Sequence, residues 1–147
     1  MPHNHEWQTR IKSVEREYIS IRQAANWFSQ AATNDPSILL DNVKHAEIIE
    51  ASDNLESTYF LRLFAEFESG SRNFWKSIRG SEPKTADLLN GLAAKCKISE
   101  ADRVDAHLVR DYRNCLVHER EGNPEGLGIS LARGCLCRFC SFLPSEW

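Results

Sequence analysis

Long apolar runs are absent from this sequence. No stretch approaches the roughly 18 consecutive apolar residues from which a membrane-spanning helix would be predicted. The N-terminal residues MPHNHEWQTR also lack the apolar segment that a secretory signal requires. We therefore expect no membrane association and a cytoplasmic location.

Positive charge is in slight deficit. The 147 residues contain 18 lysines and arginines against 21 aspartates and glutamates, so the formal net charge is −3. A molecule with this balance does not, as a whole, attract a polyanion. Any contact with nucleic acid would therefore need a local basic cleft.

The cysteines are few and do not form a disulfide pattern. There are five, an odd number, and three of them (Cys135, Cys137 and Cys140) are crowded into one segment. Their spacing differs from the paired CxxC knuckles of zinc sites, and Leu136 and Phe139 give the same segment a helical apolar pattern. We predict reduced thiols that pack in the core, no metal site and no cofactor.

Alternating apolar and polar residues, the signature of a half-buried strand, are also missing, and the chain contains no internal repeat. Apolar residues instead recur every three or four positions, which is typical of helices with one buried face. One stripe predicts a long first helix that ends near TNDPS, with members Trp7, Ile11, Val14, Tyr18, Ile21, Ala25 and Phe28. Another predicts a second long helix that ends at RGSEP, with members Phe60, Phe64, Phe67, Ser71, Phe74 and Ile78.

Capping residues predict where the remaining helices begin. Asp35 before Pro36 predicts a shorter helix over residues 36–51, and Ser52 or Asp53 is a candidate cap for the second long helix. Ser99, with Asp102 three residues later, predicts the start of a penultimate helix that runs to about residue 119. The segment EGNPEGLG should end that helix. Shorter helices are expected over residues 84–97 and 130–143.

These elements define the expected fold class, which is all-α. The length is close to that of one ordinary domain, so we expect a single domain over residues 1–147 with one hydrophobic core. Long amphipathic helices of this kind favour an up-and-down bundle of four to five helices.

The penultimate helix carries an unusual polar face. At about 100° per residue, a helical wheel places one group on the core side: Tyr112, Val104, Leu108, Val109, Cys115 and Leu116. The opposite side carries Arg103, His107, Arg110, Asn114 and His118, with Val117 among them and Arg113 at the flank. A basic, partly apolar, outward face is a candidate contact surface, although a solvated face without function remains the alternative.

Within this helix the stretch RNCLVH, in which Arg113 and Asn114 precede His118, resembles the RNxxxH form of the Arg-x(4–6)-His motif of the HEPN superfamily. HEPN domains are small and all-α, and many are metal-independent endoribonucleases of toxin–antitoxin modules or antiviral defence systems. The motif's position, on a late helix after two long ones and before a loop and a closing helix, is similar too. The resemblance implies a HEPN-like bundle over nearly the whole chain.

Metal-free RNA cleavage requires proton transfers and a phosphate clamp. Histidine suits the proton transfers because its reference pKa is about 6.5, so we assign His118 as general acid/base. Arginine is always charged and can hold two phosphate oxygens, so Arg113 is the expected clamp, and Asn114 would position the imidazole or contact the ribose. His107 and Arg110 are candidate RNA-binding residues, with ordinary solvated side chains as the equal alternative.

The spacing of the motif predicts a homodimer. Arg113 and His118 are five residues apart, so on a straight helix they point about 140° away from each other. Members of the resembled superfamily form dimers in which both motifs line a shared cleft, and the EGNPEGLG segment would shape substrate entry to it. The resemblance also implies an antitoxin or a nucleotidyltransferase as a possible partner.

Two other functions remain open at this point. The chain could be a catalytically silent HEPN-like module that uses the same face for dimerisation or partner binding, or a plain helical adaptor without a role on nucleic acid. For Glu66, in the aromatic-rich stretch FLRLFAEFES, we favour an i,i+4 pair with Arg62 over an auxiliary catalytic role.

Overall fold

The computed structural model describes residues 3–118 and 126–147, and five α-helices account for most of them. The helices are α1 (Asn4–Asn34), α2 (His45–Arg79), α3 (Thr85–Cys96), α4 (Glu100–His118) and α5 (Ile129–Ser141), with a short 3-10 turn at Pro36–Ile38. The described residues contain no strand, and the predicted all-α fold class is confirmed. Glu119 and most of the EGNPEGLG segment lie outside the described residues, and so does its predicted role at substrate entry.

The contacts between helices run in the up-and-down sense. Trp7 at the start of α1 touches Gly70 near the end of α2, and Tyr18 further along α1 bonds Glu56 nearer the start of α2, so these two helices are antiparallel. Helices α4 and α5 are antiparallel as well, since Arg138 late in α5 reaches Asp102 early in α4. The arrangement is a helical bundle, as expected.

The predicted apolar stripes build the core. Phe60, Phe64, Phe67 and Phe74 of α2 are all buried, and they join buried residues of the other four helices in one hydrophobic cluster. Ser71, which takes the place of an apolar residue in the stripe, is buried as well. Ile78 at the end of the stripe is exposed, because it lies beyond the residues that α2 buries against its neighbours.

The far half of the α1–α2 hairpin extends past this core. Along the α1 stripe, Ile11, Val14 and Tyr18 are buried, but Ile21 is exposed. Between Tyr18 and Phe60, Ala32 is the single buried residue. In that stretch the two helices have each other as their main packing partner, which explains why the apolar spacing continues although burial does not.

The predicted helix over residues 36–51 was wrong. Asp35 does cap, since its Oδ1 accepts the Ser37 N–H at 3.1 Å, but only the 3-10 turn follows. The chain then reverses through Asp41 and Asn42, whose φ angles are 56° and 60°. Helix α2 begins only at His45.

Helix α2 is also continuous where a break was predicted. The N–H of Lys44 donates to Glu47 Oε2 at 2.7 Å at its true start. Ser52 and Asp53, expected as caps, lie inside the helix. A serine or an aspartate is a cap only where the preceding residue leaves helical geometry, and here the turn is about ten residues earlier.

The N-terminal end of the bundle is tied to the C-terminal end. Asn4 is buried, and its Nδ2 donates to the carbonyl oxygens of Cys140 at 2.8 Å and Leu143 at 3.0 Å. Cys140 lies in the last turn of α5 and Leu143 two residues beyond its end, where helix carbonyls lack the partners of a regular helix. The contact closes the bundle by capping α5 from α1.

Among the described residues, no helix combines the length and the apolar composition that a membrane crossing would require.

The closeness of α1 and α2 predicts opposite effects of alanine at two helical glycines. A Cβ at Gly70 would lie 2.8 Å from Trp7 Cδ2, whereas at Gly134 in α5 the nearest atom, Arg138 Nη1, would be 3.7 Å away. We expect Gly134→Ala to raise the free energy of unfolding by about 0.5–1 kcal/mol through helix propensity. Gly70→Ala should lower it by about 1–3 kcal/mol through overpacking.

Urea unfolding followed by circular dichroism would measure both changes, and Gly134→Ala is the matched control. A Gly70→Ala protein as stable as Gly134→Ala would contradict the close packing of Trp7 on α2.

Candidate functional site

Helix α4 begins as predicted. The N–H of Asp102 donates to Ser99 Oγ at 3.1 Å, which is the cap expected from the sequence. The helix packs against α2, α3 and α5, and its last residue is His118. This element carries every residue that the sequence assigned to the site.

The core face of α4 differs from the one drawn on the helical wheel. Ala106 and Val109 are fully buried, whereas Val104 and Leu108, predicted on the core side, are 42% and 52% exposed. The buried stripe is therefore centred near Val109, about 60° from Tyr112 in the direction of Arg113. The helical wheel was drawn from α4 alone and did not include α3 and α5, which both pack against this helix.

This rotation brings Arg113 towards the bundle. Arg113 is half-buried, and its guanidinium carbon lies 5.6 Å from the centroid of the Phe64 ring on α2. Its Nη1 donates to Asn114 Oδ1 at 3.0 Å. The structure therefore brings two of the three predicted catalytic residues together.

His118 is placed differently. It is the last residue of α4 and its side chain is exposed. Within residues 3–118 and 126–147, no hydrogen bond or ion pair joins His118 to Arg113 or Asn114. One chain thus holds the predicted clamp and the predicted proton-transfer group on different sides of the helix.

His107 and Arg110, the predicted substrate-binding residues, belong to a chain of hydrogen bonds at the groove between α3 and α4. Arg110 Nη1 lies 2.9 Å from His107 Nδ1, and His107 Nε2 lies 2.9 Å from Asn90 Oδ1 of α3. Arg103 Nη1 donates to the same Asn90 oxygen at 2.9 Å. Sequence reasoning placed Arg103 on this face but gave no role to Asn90, which lies on another helix.

The partners of His107 determine its tautomer. A guanidinium can only donate, so Nδ1 facing Arg110 must carry the lone pair. The Asn90 atom that accepts from Arg103 must likewise be oxygen, so His107 Nε2 carries the proton and donates to it. His107 is therefore held as the neutral Nε2–H form.

The surroundings of His107 also lower its pKa. Partial burial is the largest cause, and the positive charges of Arg110 and Arg103 add to it, while Asp111 and Glu100 oppose the shift. Protonation at Nδ1 would place a donor against the Arg110 donor. Both the lowered pKa and the hydrogen bonds therefore favour the neutral imidazole of His107.

Glu68 was missed by the sequence analysis. Its Oε1 accepts hydrogen bonds from Arg72 Nη2 and Thr85 Oγ1, each at 2.7 Å, and joins α2 to α3. Burial alone would raise the pKa of this carboxyl, but the bonds from Thr85 and Arg72 and the charges of Arg72 and Arg113 lower it overall. Glu68 follows Phe64 by four residues and so lies on the same helical face. This spacing was the signal in the sequence from which its position could have been predicted.

The neighbouring prediction for Glu66 was wrong. Arg62 does not pair with Glu66 within α2. Its Nη1 reaches across to Glu17 Oε2 of α1 at 2.6 Å. An antiparallel neighbour helix offered a closer carboxylate than the next turn of the same helix.

The cysteine cluster lies in the core. Cys135, Cys137 and Cys140 of α5 are buried, as the apolar spacing predicted. Burial raises the pKa of the Cys137 and Cys135 thiols, so at neutral pH they stay protonated. In the part of the chain that the structure describes, no three His, Cys, Asp or Glu side chains are grouped as a metal site.

Comparison of the chain with protein-family models, with curated proteins and with solved structures gave no match.

The lowered pKa of His107 predicts a pH dependence of stability. A native pKa below the unfolded value of about 6.5 means that the unfolded chain binds more protons, so stability is lost as the pH falls through this range. His107→Gln removes the titration and should show a smaller loss between about pH 7.5 and about pH 5. Urea midpoints at both pH values measure this difference.

The exposed residue His5 provides the control, because His5→Gln removes a histidine and leaves the partners of His107 in place. An equal loss in the wild type and in His107→Gln would show that the partners of His107 do not bias its protonation.

Proposed function

We propose that this chain is a metal-independent endoribonuclease of the HEPN type, acting in a toxin–antitoxin or defence system. The observation that carries the proposal is the hydrogen bond of 3.0 Å between Arg113 and Asn114, on a helix that ends at the exposed His118. An all-α bundle with two long helices before this one supports it, because it agrees with the architecture that the RNCLVH motif implies.

The three side chains provide the groups that this chemistry needs. His118 removes the proton of the 2′-hydroxyl or donates one to the leaving 5′-oxygen. Arg113 stabilises the negative charge that develops on the phosphate, and a charged fork of donors is suited to that task. Asn114 holds the guanidinium through its Oδ1 and leaves its amide to the ribose or the imidazole.

A homodimer would bring the groups into one site. Arg113 faces α2 and His118 faces solvent, so each chain needs a second to complete a cleft. Helix α4 supports this assembly, because Val104 and Leu108 on one side and Val117 near its end are exposed apolar residues. An antitoxin or nucleotidyltransferase would bind the same dimer as a regulator.

The same exposed apolar residues favour a second candidate. A catalytically silent HEPN-like module would use the outward side of α4 for dimerisation or for holding a partner, with Arg113 as a packing residue on Phe64. The two candidates differ in whether purified protein cleaves RNA.

His118→Ala should abolish RNA cleavage in the presence of EDTA. Proton transfer by a side chain typically contributes 10² to 10⁴ in rate, so a loss of roughly this size is expected. Because His118 is exposed, the melting temperature should change little. Gel analysis of total RNA measures the cleavage, and His5→Ala, which alters another exposed histidine, is the matched control.

The ends of the fragments test the same mechanism. Attack by the 2′-hydroxyl leaves a 2′,3′-cyclic phosphate and a 5′-hydroxyl. A wild-type protein that never cleaves RNA would favour the silent module. Fragments with 5′-phosphates would point to water as the nucleophile and refute the proposed step.

Mixed dimers test whether the site is shared. Arg113→Ala and His118→Ala homodimers should both be inactive, whereas their heterodimer retains one intact Arg113 facing one intact His118 across the interface. Copurification of the two differently tagged variants should recover up to half of the wild-type cleavage rate. Arg113→Lys is a second clamp variant that keeps the charge next to Phe64.

Two results would refute the shared site. A heterodimer that forms but stays inactive would mean that Arg113 and His118 act within one chain. A strictly monomeric protein in sedimentation would exclude the two-chain cleft.

A further inference from the structure

The groove between α3 and α4 is lined by five polar side chains. It has a volume of about 410 Å³, and its polar lining consists of Asn90, Arg103, His107, Arg110 and Asp111. Arg103, His107 and Arg110 follow each other at spacings of four and three, so they share one face of α4. Arg113, whose guanidinium lies over Phe64 of α2, does not line this groove.

The guanidiniums of the groove already bind oxyanions from their own chain. Arg103 Nε donates to Glu100 Oε2 at 2.9 Å, and Arg110 Nη2 donates to Asp111 Oδ1 at 2.6 Å. With His107 neutral, these two pairs leave no net charge on the cluster. Both guanidiniums are therefore already paired, but the carboxylates that pair with them, Glu100 and Asp111, are largely exposed.

Surface ion pairs of this kind are weak, since solvent screens them. A backbone phosphodiester has two charged non-bridging oxygens on a tetrahedral phosphorus, so it can accept from guanidiniums that approach from two directions. His107 fixes the geometry for such a ligand, because it accepts from Arg110 and donates to Asn90, which in turn accepts from Arg103. The two arginines are thus held at opposite ends of one hydrogen-bonded row.

We infer that the α3–α4 groove is a phosphate-binding subsite for the RNA backbone, in which Arg103 and Arg110 bind the phosphate and His107 positions them. The assignment of RNA as the source of the phosphate rests on the proposed function. His107 and His118 are eleven residues apart, about 16 Å along the helix. The subsite therefore holds a phosphate some nucleotides away from the bond that is cleaved.

Binding of RNA without cleavage tests the subsite. Full-length protein carrying His118→Ala is titrated with a fluorescently labelled single-stranded RNA, and anisotropy gives the affinity over a range of salt concentrations. Adding Arg103→Gln or Arg110→Gln should weaken binding by roughly tenfold. Loss of a phosphate contact should also reduce the salt slope by about 0.7.

Two further variants make the test specific. Asp111→Asn removes the carboxylate that competes for Arg110 and should strengthen RNA binding. Arg16→Gln removes an exposed arginine of α1 and should change the affinity less than either groove variant does.

Inorganic phosphate provides a second readout on the unmodified protein. Phosphate bound between the arginines would favour the protonated imidazole, so the pKa of His107 measured by NMR should rise when phosphate is added. In His107→Gln, RNA should bind less tightly although both arginines remain, because they lose their positioning residue.

The possible outcomes test the binding site in the groove separately from the proposed enzyme activity and from the source of the phosphate. Groove variants that bind RNA as tightly as the parent protein overturn the subsite, even if wild-type protein cleaves RNA. Groove variants that lose affinity support the subsite, even if wild-type protein proves inactive and the proposed enzyme fails. A His107 response to phosphate without any effect of the groove variants on RNA would assign the groove to free phosphate and overturn the RNA assignment.

Discussion

The burial of Ala106 and Val109 sets the rotation of α4 about its axis, and every functional assignment on this helix depends on that rotation. Small apolar side chains at these two positions allow α4 to lie against its neighbours. The rotation turns Arg113 onto Phe64 and leaves His118 in solvent. Because the two side chains are about 140° apart on the helix, a rotation that turns one of them onto the core leaves the other outward.

The rotation is supported by contacts that come from α5. Arg138 Nε donates to Asp102 Oδ1 at 3.3 Å, and its Nη2 donates to Asp105 Oδ2 at 3.2 Å. These pairs are partly exposed, so each contributes little alone, but both agree with the apolar burial. On the other side, Asn90 of α3 meets Arg103 and His107. Helix α4 thus makes polar contacts with α5 on one side and with α3 on the other, and its buried face makes apolar contacts with the core.

The elements that depend on local patterns were predictable. The phenylalanine stripe of α2 and the Ser99 cap of α4 follow from spacing and from a side chain next to its own backbone. The break at Ser52 was wrong, since a capping residue is recognised by chain geometry that the sequence does not show. In the same way, Asp41 and Asn42 reverse the chain with positive φ values that their neighbours did not indicate.

The parts of the candidate site that join two helices were not predictable. Asn90 contacts His107 of α4, Glu68 accepts from Thr85 of α3, and Arg62 pairs with Glu17 of α1. Each partner lies on another helix, so the spacing within one helix did not indicate it. A helical wheel treats one helix alone and assigns its core face from hydrophobicity. Val104 and Leu108 show the resulting error. They were predicted on the core face, but the neighbouring helices pack against a different face of α4 and leave both side chains exposed.

The α1–α2 hairpin beyond Tyr18 and Phe60 has a consequence for the dynamics of the chain. Residues 19–34 of α1 extend about 24 Å with almost no buried side chain, whereas the part below is anchored by the aromatic core. Local opening requires less free energy where few apolar contacts are broken. Amide hydrogens in this stretch should therefore exchange through partial unfolding that leaves α4 intact, and the molecule would behave as two cooperative units joined along continuous helices.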